Sequence, residues 1–236
     1  MDKEMREVTL KDLFEAGAHF GHKRGAWHPA MKKYILADKS GIHIIDIEKT
    51  LELLKKAGEF VKEKASKGAE FLFVGTKQQI KEVIKEEAKR CGAHYVTERW
   101  LGGTLTNFET IKKSIANLKE MERMKEEGEY DKLSKKEKVR FDKKLAKLQR
   151  ILQGIRDMER LPDVVFIADI RREGVALREC QKLGIPVVAI IDTNADPREV
   201  QYPIPANDDA IKSVQIITSY IADAIIEGRG LAEKGA

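Results

Sequence analysis

The stretch EFLFVGTKQQIKEVIKEEAKR, residues 70–90, decides the fold class. Residues 71–74 are all apolar, and the remainder carries apolar residues at helical spacing among lysines and glutamates. A continuous apolar run before an amphipathic stretch predicts a strand buried on both faces and the helix that covers it. The same order recurs in DVVFIAD (163–169) with EGVALRECQKLG (173–184), and PVVAIID (186–192) supplies a third apolar run. These runs predict a doubly wound, mainly parallel α/β sheet.

Other segments of the chain extend this pattern. IHIID (42–46) reads as a further strand, and residues 47–68 read as a long amphipathic helix that ends at Gly68. The run 208–228 predicts a closing helix, with Asn207 or Asp208 as its N-cap.

Residues 107–157 interrupt the alternation, because they contain two helical patterns and no strand pattern. The apolar residues of the second pattern are spaced by four, three, four and three, as in a coiled-coil seam. They are Phe141, Leu145, Leu148, Leu152 and Ile155, and the first pattern carries Ile111, Ile115, Leu118 and Met121. We therefore predict an antiparallel coiled-coil hairpin at 107–157, roughly 30 Å long. Residues 1–106 and 158–236 would together form one α/β domain into which this hairpin is inserted.

The positive charge of the chain is concentrated in this hairpin. The whole sequence has a formal net charge of +5, whereas residues 112–160 contain 16 Lys and Arg against 10 Asp and Glu. All other residues therefore sum to about −1. The distribution indicates contact between the hairpin and a polyanion. A solvated face or a dimerisation arm is the alternative interpretation.

The composition indicates the cellular compartment of the protein and the state of its cysteines. No run approaches the roughly 20 apolar residues that cross a bilayer, and the charged N-terminal residues do not resemble a signal peptide. We expect a cytoplasmic protein without a membrane contact. Cys91 and Cys180 have no second Cys at metal-ligand spacing, so we expect reduced, buried thiols.

Three segments carry residues that bind ligands in other proteins. The first, VGTKQQ (74–79), places Gly, Thr and Lys between a strand and a helix, where backbone N–H groups can hold an anion. The spacings of a P-loop and of GxGxxG are absent. A tight turn with a helix cap explains the segment equally well.

The second segment, 17–29, reads GAHFGHKRGAWHP and brings three histidines close together in sequence. Zinc is one interpretation, but Lys23 and Arg24 would repel a cation. Aromatic and basic residues in a Gly-rich loop fit RNA better, because Trp27 can stack on a base while Lys and Arg meet phosphates.

The third segment, 190–210, places acidic residues after predicted strands, at the sheet edge where α/β proteins bind ligands. Asp192, Asp196 and Asp208, with His22, are candidate ligands for a divalent cation, Mg²⁺ or Zn²⁺. Turns and helix caps are the alternative, and no cofactor is required by the sequence. No GxSxG, HExxH or Cys–His arrangement is present, so we expect no catalysis.

The motifs together are more specific than any one of them. GAHFGH, GIHIIDIEKT, FVGTKQQ, RWLGGTLTNF, LPDVVFIAD and IPANDDAI follow in order between residues 8 and 228. They resemble the bacterial ribosomal protein S-two family, and RWLGGTLTNF (99–108) is the most specific of them. The resemblance implies a Rossmann-like domain with a coiled-coil hairpin, acting as a structural component of the small ribosomal subunit.

The resemblance also implies partners and contact residues. The expected partners are small-subunit ribosomal RNA and neighbouring ribosomal proteins, among them protein S-one where an organism has it, and the free protein is expected to be a monomer. Trp100 to Gly103 are expected to be architectural, and Trp27 to stack on RNA. The expected phosphate contacts are Lys23, Arg24, Lys32, Lys33, Arg99, Lys112, Lys113, Lys143 and Lys144.

Two rival interpretations remain at this stage. A phosphate-ligand or metal-dependent enzyme would use the strand-end cleft, with Lys77 and Asp192 in it. A purely protein-binding module would use the hairpin.

Overall fold

The computed structural model describes residues 7–234 of the chain. Seven α-helices and eight strands alternate along this part of it. In chain order they are α1 (Leu10–Glu15), β1 (Phe20–Lys23), β2 (Ile35–Lys39), β3 (Ile42–Ile45), α2 (Ile47–Ser66), β4 (Phe71–Val74), α3 (Lys81–Cys91), β5 (His94–Val96), α4 (Phe108–Glu126), α5 (Lys135–Leu152), β6 (Val164–Ile167), α6 (Gly174–Leu183), β7 (Val187–Ile191), β8 (Tyr202–Pro205) and α7 (Ile211–Lys234).

The main sheet contains five parallel strands in the order β5-β4-β6-β7-β8. The three predicted apolar runs form β4, β6 and β7, and the predicted doubly wound α/β fold is confirmed. The direction of winding reverses between β4 and β6, so the crevice outside the carboxyl ends of these strands is the topological switch point. Ligands of such sheets bind in this crevice.

Both faces of the sheet are covered, as uninterrupted apolar strands require. Phe71 and Phe73 point to the face covered by α2, α3 and α7. Leu72 and Val74 point to the opposite face, which shares a buried cluster with α6 and with the helices α4 and α5. The period-two alternation of side chains along β4 thus divides the protein into two cores.

Four of the five residues 42–46 form a strand, β3 (Ile42–Ile45), but it belongs to a second, smaller sheet. β1, β3 and β2 pair antiparallel in that order. Two 3-10 helices, Arg24–Ala26 and Pro29–Tyr34, connect β1 to β2 and carry most of the predicted N-terminal contact residues. Asp46 then caps α2, because its carboxylate accepts the backbone N–H groups of Glu48 and Lys49.

The closing helix starts later than the sequence indicates. α7 begins at Ile211, and the Asn207 side chain accepts the N–H groups of Asp209 and Ala210, at 2.8 Å each. Of the two predicted caps, only Asn207 accepts such N–H groups, and it does so in the turn that precedes the helix. Asp208 is buried and faces the strand ends.

The segment 107–157 contains the two expected helices, α4 and α5, and no strand. They run antiparallel, because Lys125 contacts Asp142 near the turn and Glu122 contacts Gln149 farther from it. Ser134 and Glu137 form a capping box at the start of α5. Buried residues of both helices join the cluster on one face of the sheet. Coiled-coil packing of the pair and its separation as an inserted unit remain predictions.

The two cysteines are buried and free. Burial raises the pKa of the Cys91 thiol to about 11 and that of Cys180 to about 12, so both remain protonated at neutral pH. Within residues 7–234, no helix combines the length and the apolar character needed to cross a bilayer.

Candidate RNA interface and strand-end charge cluster

The N-terminal contact residues lie on a connection that is fixed to the main sheet. The N–H of His22 donates to the Thr193 hydroxyl at 2.8 Å, and the N–H of His28 donates to the Thr193 carbonyl at 2.7 Å. Gly21 allows this approach, because a Cβ there would lie 2.5 Å from the Thr193 side chain. The four predicted basic residues of this segment, Lys23, Arg24, Lys32 and Lys33, are all exposed. We call them the N-terminal basic group.

Trp27 lies between two surface clefts of about 500 and 470 Å³. The indole ring is half-buried and contacts the His43 ring, with centroids 5.3 Å apart. The ring is therefore fixed on one side and accessible on the other, which is compatible with its predicted role in base stacking.

The hairpin carries the second set of predicted contacts, Lys112, Lys113, Lys143 and Lys144, which we call the hairpin basic group. Lys113, Lys143 and Lys144 are exposed. Lys112 is half-buried, forms an ion pair with Glu109 at 3.3 Å and lies over the Phe108 ring. Lys112 is thus the least available member of the group.

The base of the hairpin is organised by a residue that the sequence did not single out. The buried Glu179 carboxylate of α6 accepts hydrogen bonds from four residues of the RWLGGTLTNF segment. The Trp100 indole N–H donates at 3.0 Å, and the N–H groups of Gly103, Leu105 and Thr106 donate at 2.8, 2.9 and 3.0 Å. The Thr106 hydroxyl donates as well.

Burial favours the neutral form of Glu179, but these hydrogen bonds outweigh it and lower its pKa. The predicted architectural role of Trp100 agrees with its bond to Glu179. A lone glutamate in an amphipathic helix pattern gives no sign of such a role, which depends on contacts 73 to 79 residues away in sequence.

A charge cluster occupies the carboxyl ends of the main-sheet strands. The Lys77 ammonium contacts Asp169 at 2.8 Å, Asp208 at 2.6 Å and Asp209 at 2.8 Å. Burial alone would lower the pKa of Lys77, but the surrounding carboxylates, Asp208 foremost, outweigh it and raise that pKa. Burial and the neighbouring Asp169 and Asp192 raise the pKa of Asp208 to about 7.

The N-terminal loop adds His22 to this cluster. Its Nδ1 lies 2.9 Å from Asp192, and its Nε2 lies 3.6 Å from Asp209. The hydrogen bond with Asp192 raises the pKa of His22. His22, Asp208 and Asp209 each offer a ligand atom within 4.8 Å of the others, which is compatible with a divalent cation, but the Lys77 ammonium already contacts both carboxylates.

Asp192 and Asp196 are not part of this group of three, although the sequence placed both among the candidate ligands. The Asp196 carboxylate is held by Arg198, at 2.7 Å, and this bond lowers the pKa of Asp196 to about 2. The carboxylate also accepts the Arg198 N–H, as in a helix cap. The alternative interpretation, a turn and cap, fits Asp196 better.

The predicted anion site in VGTKQQ is filled by the protein's own carboxylates. The N–H and the hydroxyl of Thr76 both donate to Glu173, at 2.8 and 2.6 Å. Lys77 is surrounded by the three aspartates. The groups that would hold a ligand phosphate are therefore already satisfied.

A comparison with protein families decides the identity. The family model described as ribosomal protein S2 matches residues 13–228, which is most of the chain. The chain belongs to the ribosomal protein S2 family. The resemblance inferred from its motifs is therefore confirmed, and RWLGGTLTNF lies inside the matched region.

Two curated relatives agree with this assignment. Small ribosomal subunit protein uS2 of Dictyoglomus turgidum is 55% identical over 232 residues, which cover 98% of this chain and 94% of that protein. The protein of the same name from Dictyoglomus thermophilum is 54% identical over the same lengths. The S2 family match thus extends over nearly the whole chain.

Proposed function

We propose that this protein is a structural constituent of the small ribosomal subunit and contacts ribosomal RNA through the N-terminal and hairpin basic groups, with Arg99 between them in sequence. Neighbouring ribosomal proteins, including protein S-one where present, are its further partners. It has no catalytic role. Family membership supports the ribosomal role, and the pairing of surface charges supports the choice of contact residues.

One observation carries the assignment of the contact residues. Of the nine predicted phosphate contacts, only Lys112 has a carboxylate within 4.0 Å among residues 7–234. Other basic residues of the hairpin are neutralised locally: Lys119 by Asp157, Lys125 by Asp142 and Lys138 by Asp131. An unpaired cation gains more from a phosphate than a paired one, because no existing ion pair has to be broken.

The test is cosedimentation with small subunits that have been stripped of this component, across a salt series. Lys113→Gln, Lys143→Gln and Lys144→Gln together remove three unpaired charges. We expect the slope of log affinity against log salt to flatten by about 2 to 3, since each lost phosphate contact contributes about 0.7 to 0.9.

The matched control removes the same amount of charge from paired residues of the same hairpin, with Lys119→Gln, Lys125→Gln and Lys138→Gln. This variant should rebind nearly as the wild type does. An equal loss of affinity in both variants would show that net charge alone determines binding. Failure of the intact folded chain to rebind would overturn the ribosomal assignment. Rebinding that survives ribonuclease would favour the protein-binding alternative.

The rival enzyme would use the strand-end cleft. Its phosphate-binding groups, Thr76 and Lys77, are occupied by Glu173 and by the three aspartates, which counts against it. A thermal shift with nucleotides or sugar phosphates that Lys77→Ala abolishes would support the rival.

We also propose that the strand-end cluster accepts a divalent cation without needing it to fold. Lys77 already supplies positive charge to the carboxylates, and the imidazole of His22 favours Zn²⁺ over Mg²⁺. Equilibrium dialysis should show Zn²⁺ binding by the wild type that His22→Gln weakens, with an unchanged circular dichroism spectrum after chelation. Equal binding by both proteins would exclude His22 as a ligand.

A further inference from the structure

A cleft of about 340 Å³ lies at the topological switch point, next to the base of the hairpin. Residues that follow three neighbouring strands form its walls: Thr76 after β4, Arg99 after β5 and Arg172 after β6. Glu98 and Glu173 also line it. This is the position at which sheets of this winding bind their ligands.

Both arginines of the cleft lack an acidic partner. Within residues 7–234, no carboxylate lies within 4.0 Å of the guanidinium of Arg99 or of Arg172. The Arg172 Nε donates to the Thr76 hydroxyl at 3.0 Å, and Nη2 lies 3.5 Å from the Thr76 carbonyl. Neutral oxygens of Thr76 thus orient Arg172.

Both acids of the cleft already have bonding partners. Glu98 forms an ion pair with Lys81 at 2.9 Å. Glu173 is buried and accepts both hydrogen bonds from Thr76, and burial raises its pKa. Arg99 and Arg172 are therefore the cations of the cleft that form no ion pair among residues 7–234, although the charge of Arg172 also acts through space on Glu173.

We infer that this cleft binds a backbone phosphate of RNA between Arg99 and Arg172. Guanidinium groups match phosphate oxygens through paired N–H donors, and a prearranged Arg172 loses little side-chain entropy on binding. Arg99 immediately precedes the segment that leads into α4, so the cleft continues the basic surface of the hairpin. The inference rests on the proposed RNA-binding function and adds Arg172, which the sequence did not indicate.

The experiment uses the full-length protein and stripped small subunits. Arg172→Gln retains a hydrogen-bond donor for Thr76 but removes the charge. We expect roughly tenfold weaker rebinding, as for the loss of one charge-assisted contact, and a salt slope flatter by about 1. Arg99→Gln should behave alike. Ethylnitrosourea footprinting should show one RNA phosphate that both variants leave unprotected, while Arg172→Lys restores part of the protection.

Arg160→Gln is the matched control. Arg160 is an exposed arginine that pairs with Asp163 at the opposite, amino-terminal end of β6. Two results together would overturn this inference and leave the proposed function intact. Arg172→Gln would rebind and protect the RNA as the wild type does, while the triple variant of Lys113, Lys143 and Lys144 would lose rebinding. No rebinding by the wild type would overturn both.

A second part of the experiment distinguishes binding of an RNA phosphate from binding of free phosphate. Inorganic phosphate and mononucleotides at millimolar concentration should not raise the melting temperature of the protein beyond an ionic-strength control of chloride. A specific shift that Arg172→Gln abolishes, with RNA binding unchanged, would make the cleft a small-ligand site and overturn the inference.

Discussion

At the scale of single residues, Glu179 is the side chain that connects the hairpin base to the sheet domain. One buried carboxylate accepts hydrogen bonds from Trp100, Gly103, Leu105 and Thr106. Three of these donors are backbone N–H groups in a segment that belongs to no helix or strand. Their hydrogen bonding therefore depends on Glu179.

Glu179→Ala should destabilise the protein by about 2 to 4 kcal/mol, since it leaves the buried Leu105 N–H and several part-buried donors without their acceptor. Urea unfolding measures the change in the free energy of unfolding. An exposed glutamate of α2, Glu59, supplies the control, and Glu59→Ala should change stability by less than about 0.5 kcal/mol.

The effect of Glu179 should also depend on pH. The folded-state pKa of Glu179 lies below its usual value, so its contribution is fully present above the unfolded-state pKa and is lost as pH falls through the folded-state pKa. The difference between wild type and Glu179→Ala should shrink accordingly in acid. A difference that is small at neutral pH, or independent of pH, would contradict the role given to Glu179.

At the scale of elements, the burial of side chains differs between the two ends of the hairpin. The buried side chains of α4 end at Met121, and those of α5 begin at Leu145. Between them lies the distal half of the hairpin, residues 122–144, in which no side chain is classed as buried. By contrast, α2 is about as long as α4 and has six buried residues distributed along its length. Burial, rather than helix length, sets the cost of local opening.

We expect amides of residues 122–144 to exchange at least about tenfold faster than those of α2 in the free protein, which we predict to be a monomer. Native-state hydrogen exchange followed by mass spectrometry measures both helices in one sample. The distal amides should become protected when the protein rebinds small subunits. Strong protection of the distal hairpin in the free protein would contradict this prediction.

The strands of the main sheet also differ in how well the sequence predicts them. β4, β6 and β7 are central strands with both faces buried, so their apolar runs are unbroken. The edge strands β5 and β8 were missed. β5 has only three residues, and β8 contains Pro203 and Pro205, which a central strand would not tolerate.

At the scale of the whole molecule, the strand-end cluster joins distant parts of the chain. His22 comes from the small sheet, Lys77 follows β4, Asp169 follows β6, and Asp208 follows β8. The sequence predicted that His22, Asp192 and Asp208 lie close together, because carboxyl ends of parallel strands meet at one edge, and the structure places them in contact or nearby. The sequence did not indicate Asp169 or the position of Lys77 among the aspartates, and Asp196 pairs with Arg198 instead. The role of His22, Asp192 and Asp208 as metal ligands stays a prediction.

By itself, the sequence determined the fold class, the family, the position of the two hairpin helices and the location of the basic excess. These features follow from periodicity, composition and motifs, which are local properties of the chain. Only the tertiary structure decided that β3 joins a separate antiparallel sheet, that Glu179 accepts the hydrogen bonds of the hairpin base, and that Arg172 lines the same cleft as Arg99. Such pairings depend on contacts between segments far apart in sequence, and a surface lysine or arginine has the same local pattern whether or not an acid neutralises it.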